Sequence, residues 1–445
     1  MDFQENPRLS VVLGLSSVLG GSRKPKEVIE EMSLSGRDRA FAMELLYGTI
    51  RYRDTLKWVL DKFLRNSSGL SQFTMNNLRC GAYQILFMRV PEWAAVNEAV
   101  RIERSKPNLV NAVLRNIARK KDEISVELKD MRLSLLDQPM PKCAEIMATI
   151  TSHPLWLIKR WIKRFGTQEA LALSEANNQV PPLTLRINTI RTDRDSVLKI
   201  LKGKGVSALP TRNSPVGITL RDIHNYRELL EIAPELRGLL YAQDEAAQLI
   251  SYMLGVMPDE RVLDACSAPG GKTTHIAELM SDRGEIIAVD NDPERLSIVR
   301  ENIEAGGFSS IKIILGDATT LGEDLGLFDR VLLDAPCTAL GTIRRNPDIK
   351  YRYKKKDLLS FHEKQYLLLE NTSRLLRRGG VLVYCTCSTE PEEGEQVVER
   401  FLKRHGDFYI IKESLFGGLT RDGYLRTYPH RDGMDGFFGV RITRK

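Results

Sequence analysis

Apolar positions recur every three to four residues through the first part of this chain, and past residue 260 they condense into short runs. Ser33 to Ile50 (SLSGRDRAFAMELLYGTI) sets Phe41, Leu45, Leu46 and Ile50 on one helical face behind a capping residue. Leu78–Phe87 and Ala94–Ile102 repeat that spacing on either side of Pro91, and Asn108–Ile117 closes the set. Residues from about 6 to 125 are therefore expected to form an all-helical bundle. Residues 121 to 150 read as a charged, lightly patterned connection. SHPLWLIKRWIKRFG (152–166) reads as a helix stopped by Gly166, and PPLTLRINTI (181–190) as a strand followed by a helix through Lys204. The expected organisation is a helical domain at 1–125, a small α/β linker subdomain at 141–232 and a last domain at 233–445.

That last domain alternates strands with helices. VLDAC (262–266), EIIAVD (285–290), IKIILGD (311–317), DRVLLDA (329–335) and VLVYCTC (381–387) are strand-like. Such alternation predicts an α/β fold built on a mostly parallel, doubly wound sheet. FYIIKE (408–413) and FFGVRITRK (437–445) are expected to add an antiparallel hairpin with a short connection at the sheet edge. Ligands of such sheets bind off the carboxyl ends of the strands. Asp334, Cys337 and Cys387 all lie at or just past strand ends, and so should face one crevice.

Composition narrows the classes. Of 445 residues, 42% are hydrophobic and 28% charged, as in ordinary globular proteins. No apolar run is long enough to span a bilayer and no signal peptide is legible near Met1, so the expectation is a cytoplasmic protein without membrane association. The net charge of +7 favours a polyanionic partner. Six cysteines in so long a chain do not read as a disulfide framework. Four of them (266, 337, 385 and 387) fall late, which points to chemistry or metal. Nothing calls for an obligate protein partner.

The first strand of the α/β set runs into Asp264-Ala-Cys266-Ser267-Ala268-Pro269-Gly270-Gly271-Lys272. A glycine-containing turn from strand into helix lets backbone approach a ligand. A Walker loop would need glycine where Cys266 stands, and GxGxxG is absent. Asp290 closes the second strand some twenty residues beyond the glycines, where a carboxylate accepts from ribose hydroxyls. Asp317 ends the third strand-like run and is a candidate for an adenine amino group. A ligand with ribose and adenine but no need of phosphate fits S-adenosylmethionine, with ATP- or NAD-type sites as the alternatives.

Two thiols and a carboxylate suit one demanding reaction. Carbon 5 of cytosine is a poor nucleophile until a thiolate adds to carbon 6, and a second group must then help release. A four-thiolate zinc site from Cys266, Cys337, Cys385 and Cys387 is the metal alternative, but Cys-Thr-Cys is not the usual CxxC knuckle and no metal is expected. Buried inert thiols are the bland one. Two basic stretches are candidates for RNA contact. Lys159, Arg160, Lys163 and Arg164 share a helical face near Trp156 and Trp161. After Cys337, seven of the thirteen residues from Arg344 to Lys356 are basic, among them Arg345, Lys350 and Arg352, with Tyr351 and Tyr353 interleaved. Plain solvated surface is the competing reading of both.

DACSAPGGKTTH (264–275), AVDNDPERL (288–296), LLDAPCTALGTIRRNPDIK (332–350), YCTCSTEPEEGE (384–395) and DGFFGVRI (435–442) together resemble the Sun/Fmu family of ribosomal RNA cytosine-C5 methyltransferases. GRDRAFAMELLYGTIRYR (36–53), CGAYQILFMRVPEWAAVNEAV (80–100) and LVNAVLRNIAR (109–119) resemble the NusB-like RNA-binding domain, with Arg37, Arg39, Arg51, Arg53 and Arg115 as candidate phosphate contacts. The resemblance implies a class I, Rossmann-like methyltransferase domain that uses S-adenosylmethionine on RNA, small-subunit ribosomal RNA first and transfer RNA as the alternative. It also implies Cys387 as nucleophile and Cys337 as the residue assisting release. Cys266 to Lys272, with Asp290, Asp317 and Asp334, would line the cofactor pocket, Asp334 also reaching the target base. Thr338 stands where serine often follows the APC motif, and Cys385 is an extra thiol beside the nucleophile.

Overall fold

The computed structural model describes residues 6–66, 69–223 and 225–445, which divide into two compact units. The first unit is the chain up to Gln179 together with Ile343–Lys355. Its helices include Pro7–Leu19, Gly36–Arg51, Gln72–Phe87, Glu92–Ile102 and Pro107–Arg119. Each starts or stops where the sequence allows. Asn6 accepts from the amides of Arg8 and Leu9, the Ser71 hydroxyl accepts from the Thr74 amide, and Pro107 opens the last of the five. Val110, Val113, Leu114 and Ile117 turn one face of that helix into the core it shares with Leu45, Leu46, Ile50 and Leu78. Each such side chain contributes about 1.5–3 kcal/mol by leaving water. Gly48 has a packing role, because a Cβ there would fall 2.0 Å from the Tyr83 ring. The two longest of these helices, Gly36–Arg51 and Gln72–Phe87, meet face to face through that gap.

The stretch from 121 to 150 is not a loose connection. It folds as a helix Lys121–Leu133, a turn of 3-10 helix Ser134–Asp137 and a helix Met140–Thr151. Ile124 is the one buried residue of the first of these, so no apolar stripe betrays it, while Asp122 and Glu123 suit its amino end. Two further helices, Leu155–Phe165 and Thr167–Asn177, also belong to this unit. Residues 141–179 fall in the first compact unit, and the strands that follow fall in the second.

The second unit begins with four short strands, β1 (Leu183–Ile187), β2 (Ala208–Pro210), β3 (Gly217–Leu220) and β4 (Leu240–Ala242). They form an antiparallel sheet in the order β2-β3-β1-β4. The large sheet follows, with β5 (Arg261–Ala265), β6 (Glu285–Asp290), β7 (Ile311–Leu315), β8 (Phe328–Asp334), β9 (Leu376–Thr386), β10 (Phe408–Ile410), β11 (Thr420–Arg421), β12 (Tyr424–Arg426) and β13 (Phe438–Arg444). β7, β6, β5, β8 and β9 are parallel neighbours in that order. β9 is buried from Gly380 to Thr386, which is why its sequence is a continuous apolar run. Apolar layers cover both faces of the sheet, with Ile250, Ile276 and Val383 on one and Leu263, Leu333 and Phe401 on the other.

The carboxyl-terminal hairpin differs from expectation. β10 and β13 do pair antiparallel, Phe408 opposite Arg444, but residues 411–437 intervene and include β11 and β12. β13 also runs antiparallel beside β9, Gly439 opposite Cys385, and so lies inside the sheet rather than at its rim. The parallel order reverses at β5, whose partners are β6 and β8. A topological switch point of this kind opens a crevice at the carboxyl ends of β5 and β8.

Candidate active site

Three loops leave the carboxyl ends of β5, β8 and β9. The first is held from behind. Ser267 donates its amide to Val289 O at 2.9 Å, and the Ala268 amide donates to Asp290 Oδ2 at 3.0 Å. The second oxygen of Asp290 accepts from the Asp292 amide at 3.1 Å. Cys266 takes a left-handed backbone, φ 62°, and Gly270 another, φ 94°. At Gly270 a Cβ would also sit 3.2 Å from Val299, so both conformation and space require glycine. Helix Gly271–Leu279 starts there. Arg186 of β1 anchors that helix, its guanidinium buried against Glu278 at 2.9 Å, Thr274 at 2.9 Å and the Gly271 carbonyl. Nothing in the sequence spacing of Arg186 and Glu278, ninety-two residues apart, announces that pair.

This loop carries unmet polar groups. Asp264 is fully buried, accepts from Thr273 Oγ1 at 2.6 Å through Oδ2, and has no partner at Oδ1. Burial pushes its carboxyl up to about 7. Ser267 Oγ is likewise buried without a partner. Buried polar atoms are seldom left so, and a bound ligand that both accepts and donates would satisfy them. Asp317 stands apart, exposed beyond β7, its Oδ1 held by the amide and hydroxyl of Thr319, which keep its carboxyl below the ordinary range.

The second and third loops bring the thiols together. Cys337 follows β8, Cys387 follows β9, and their sulfurs are 3.4 Å apart. Both are partly exposed. The contact with Cys387, together with burial, pushes the Cys337 thiol well up. Beside them Asp334, the last residue of β8, receives Lys272 Nζ on Oδ2 at 2.5 Å and the Cys385 thiol on Oδ1 at 3.4 Å. Burial alone would lower the Lys272 ammonium, but Asp334, together with Cys385 and Cys387, outweighs it and holds the group above its ordinary value. Cys385 is fully buried and its thiol is pushed up by desolvation first and by Asp334 next. Among the described residues, no group of three or more His, Cys, Asp or Glu is placed to hold a metal ion.

The basic candidates part company. On helix Leu155–Phe165, Lys159 and Lys163 are exposed and Arg160 partly so, while Leu157, Ile158, Trp161 and Ile162 face inward. The run after Cys337 is only partly a solvated cationic surface: Lys354, Lys355 and Lys356 are exposed, but others are not. Lys350 is fully buried, its ammonium donating to Arg51 O at 2.9 Å and Asn178 Oδ1 at 3.1 Å. Arg344 is also buried, and its carbonyl accepts from Arg51, another expected phosphate contact that proves buried. Arg352 pairs with Asp348 at 2.6 Å, and Tyr351 donates to Ser152 O with Arg53 laid over its ring. Arg345 keeps partial exposure. Arg39 donates to Ile29 O, Arg115 to Asn111, and Arg37 is exposed.

The order of the parallel strands, the acidic end of β6 and the loop between β5 and its helix define a class I methyltransferase, whose cofactor is S-adenosylmethionine. The orphaned Asp264 and Ser267 atoms and the Asp290 carboxylate fit such a ligand. Three family models match in succession: the NusB family over 7–119, the RsmF/B-like ferredoxin-like domain over 153–226, and the 16S rRNA methyltransferase RsmB/F over 251–443. Ribosomal RNA small subunit methyltransferase B of Pseudomonas syringae pv. tomato is 37% identical, covering 99% of this chain and 97% of its own. The crystal structure of PH0851 shares the fold, with a TM-score of 0.77 at 24% identity over 98% of this chain and 99% of that one. NSun6 from Pyrococcus horikoshii, solved with SFG, gives a TM-score of 0.59 at 25% identity over 65% of this chain and 98% of its own. This chain belongs to the RsmB/F family of small-subunit ribosomal RNA methyltransferases. Among the described residues no helix is long and apolar enough to cross a membrane.

Proposed function

We propose that this protein methylates carbon 5 of a cytosine in small-subunit ribosomal RNA through a covalent adduct on Cys387. The observation that carries the reading is the 3.4 Å approach of the Cys337 and Cys387 sulfurs, at the ends of adjacent parallel strands and beside Asp334. A lone thiol would serve addition. A second at contact distance is what release requires.

The target base must leave its stack to reach these side chains, most cheaply from an unpaired region. Cys387, as thiolate, forms a bond to carbon 6 while the C5=C6 π pair moves toward carbon 5, which becomes nucleophilic. S-adenosylmethionine, when bound, supplies the electrophilic methyl group. Carbon 5 then carries both methyl and hydrogen. Cys337, after passing its own proton to solvent, takes that hydrogen as a proton on its thiolate. The C–H electrons rebuild C5=C6, the S–C6 bond breaks, and Cys387 leaves as thiolate. Asp334, fixed by Lys272, accepts from the exocyclic amine. Cys266 to Lys272, with Asp290 and Asp317, would line the cofactor side. Lys159, Arg160, Lys163 and Arg345 remain the candidates for phosphates.

The test is methyl transfer to unmodified 16S ribosomal RNA, followed by nucleoside analysis and bisulfite sequencing. The expected result is 5-methylcytidine at a defined position, lost in Cys387→Ala. Modification of transfer RNA and not of 16S RNA would overturn the substrate assignment. Tight RNA binding without transfer to either would favour a non-catalytic assembly factor.

A further inference from the structure

Each cysteine is followed by a hydroxyl residue, Thr338 after Cys337 and Ser388 after Cys387, and both hydroxyls converge on one buried carboxylate. Glu393 is fully buried in the short 3-10 turn Pro391–Glu393. Its Oε1 accepts from the Thr338 amide at 2.7 Å, and its Oε2 accepts from Thr338 Oγ1 at 2.5 Å and Ser388 Oγ at 2.5 Å. Gln365 adds a longer bond at 3.4 Å while also donating to the Pro336 carbonyl at 2.9 Å. The main-chain oxygen of Glu393 accepts from Tyr384 OH and Thr386 Oγ1, both on β9. The loops after β8 and β9 therefore share one buried hub. Its hydrogen bonds go to the residues beside the thiols, and its charge also acts on Cys337.

We propose that Glu393 is a positioning residue which sets the spacing of the two thiols by binding the residue next to each. The inference rests on the two-cysteine reading above. A buried carboxylate is costly unless its lone pairs are filled, and here three short bonds fill them. Those bonds fall on the two positions where one hydrogen bond fixes a neighbouring Cα and hence the direction of its sulfur. The thiol loops are also braced by Gly341 N donating to Cys387 O at 2.9 Å, Gly436 N to Gly341 O at 2.8 Å and Arg426 Nη1 to Ser388 O at 2.8 Å. Threonine in place of serine at 338 keeps the hydroxyl, and with it the clamp.

Glu393→Gln preserves volume but turns one acceptor into a donor facing two hydroxyls or an amide. Thr338→Val removes one hydroxyl, and Thr338→Ser keeps it. The ruler for thiol spacing is closure of an intramolecular disulfide by diamide, in which two thiols lose two protons and two electrons to the reagent's N=N bond. Wild type and Thr338→Ser should close the Cys337–Cys387 bond at the same rate, and Glu393→Gln and Thr338→Val at least about tenfold slower. Circular dichroism and the cofactor's binding isotherm by titration calorimetry, unchanged in all four, separate spacing from folding. With RNA and S-adenosylmethionine, Glu393→Gln should also accumulate a covalent protein–RNA band that wild type clears. Wild-type closure rates in Glu393→Gln, or a loss of fold in both Glu393→Gln and Thr338→Val, would overturn the assignment. If closure slows as expected while the wild type methylates no cytosine, the spacing role stands and the catalytic reading fails.

Discussion

Two lysines, one partly and one fully buried, show how differently this molecule uses the same side chain. In the second unit Lys272 meets Asp334 at 2.5 Å, and that carboxylate with the Cys385 and Cys387 thiols more than offsets the cost of burial, so the ammonium is held above its ordinary value. In the first unit Lys350 has only neutral acceptors, the Arg51 carbonyl and the Asn178 amide oxygen. Desolvation dominates there, with Arg51 adding to it, and drives the lysine well below its ordinary value. One is an ion pair at the strand ends that carry the paired thiols of Cys337 and Cys387. The other is a peg that holds residues 343–355 in the helical unit. A positive charge in sequence is therefore no guide to its work until its neighbours are known.

The largest effect that contrast implies is at Lys272. Lys272→Met leaves Asp334 without its cation near Asp264, and should lower methyl transfer at least about a hundredfold and stability by about 1–3 kcal/mol, Asp334 being partly exposed. Initial rates and urea unfolding measure both. Retained activity would break the contrast. Lys350→Met should change stability by no more than about 2 kcal/mol, since two lost hydrogen bonds are offset by ending the burial of an amine, and should leave methyl transfer near wild type.

A pH series sharpens the comparison further. Lys350 has a depressed value when folded, so the unfolded chain binds the extra proton, and wild-type stability should gain on Lys350→Met as pH rises from 7 toward the ordinary lysine value of 10.5. The smallest effect is at His153, fully buried, which burial and then Lys350 lower well below 6.5. Its unfolded form protonates first, so stability is lost as pH falls through 6.5. His153→Phe should flatten that limb in thermal scans between pH 7 and 5.

Much of this was legible in the chain. The runs that became β5, β6, β8 and β9 were visible because strands buried on both faces must be apolar, and Asp290 and Asp334 marked their ends. What failed depended on partners remote in sequence. Lys350 reads as one more cation in a basic run, and only Arg51 and Asn178, far upstream, turn it inward. The helix Lys121–Leu133 buries only Ile124 and gave no periodic signal. Glu393 lies in a turn of acids, PEEGE, where an exposed reading is natural, yet a carboxylate six residues after Cys387, with hydroxyls following both Cys337 and Cys387, was a usable hint. The short hairpin connection was a misjudged distance: β11 and β12 occupy the interval.

The most direct test of the two-thiol account is intact mass and gel analysis of Cys337→Ala incubated with S-adenosylmethionine and unmodified 16S RNA. The account expects a denaturation-resistant protein–RNA adduct, because carbon 5 can be methylated but not deprotonated, and expects that adduct to vanish when Cys387→Ala is added. An adduct that persists in the double variant, or a Cys337→Ala protein that turns over like wild type, would contradict it.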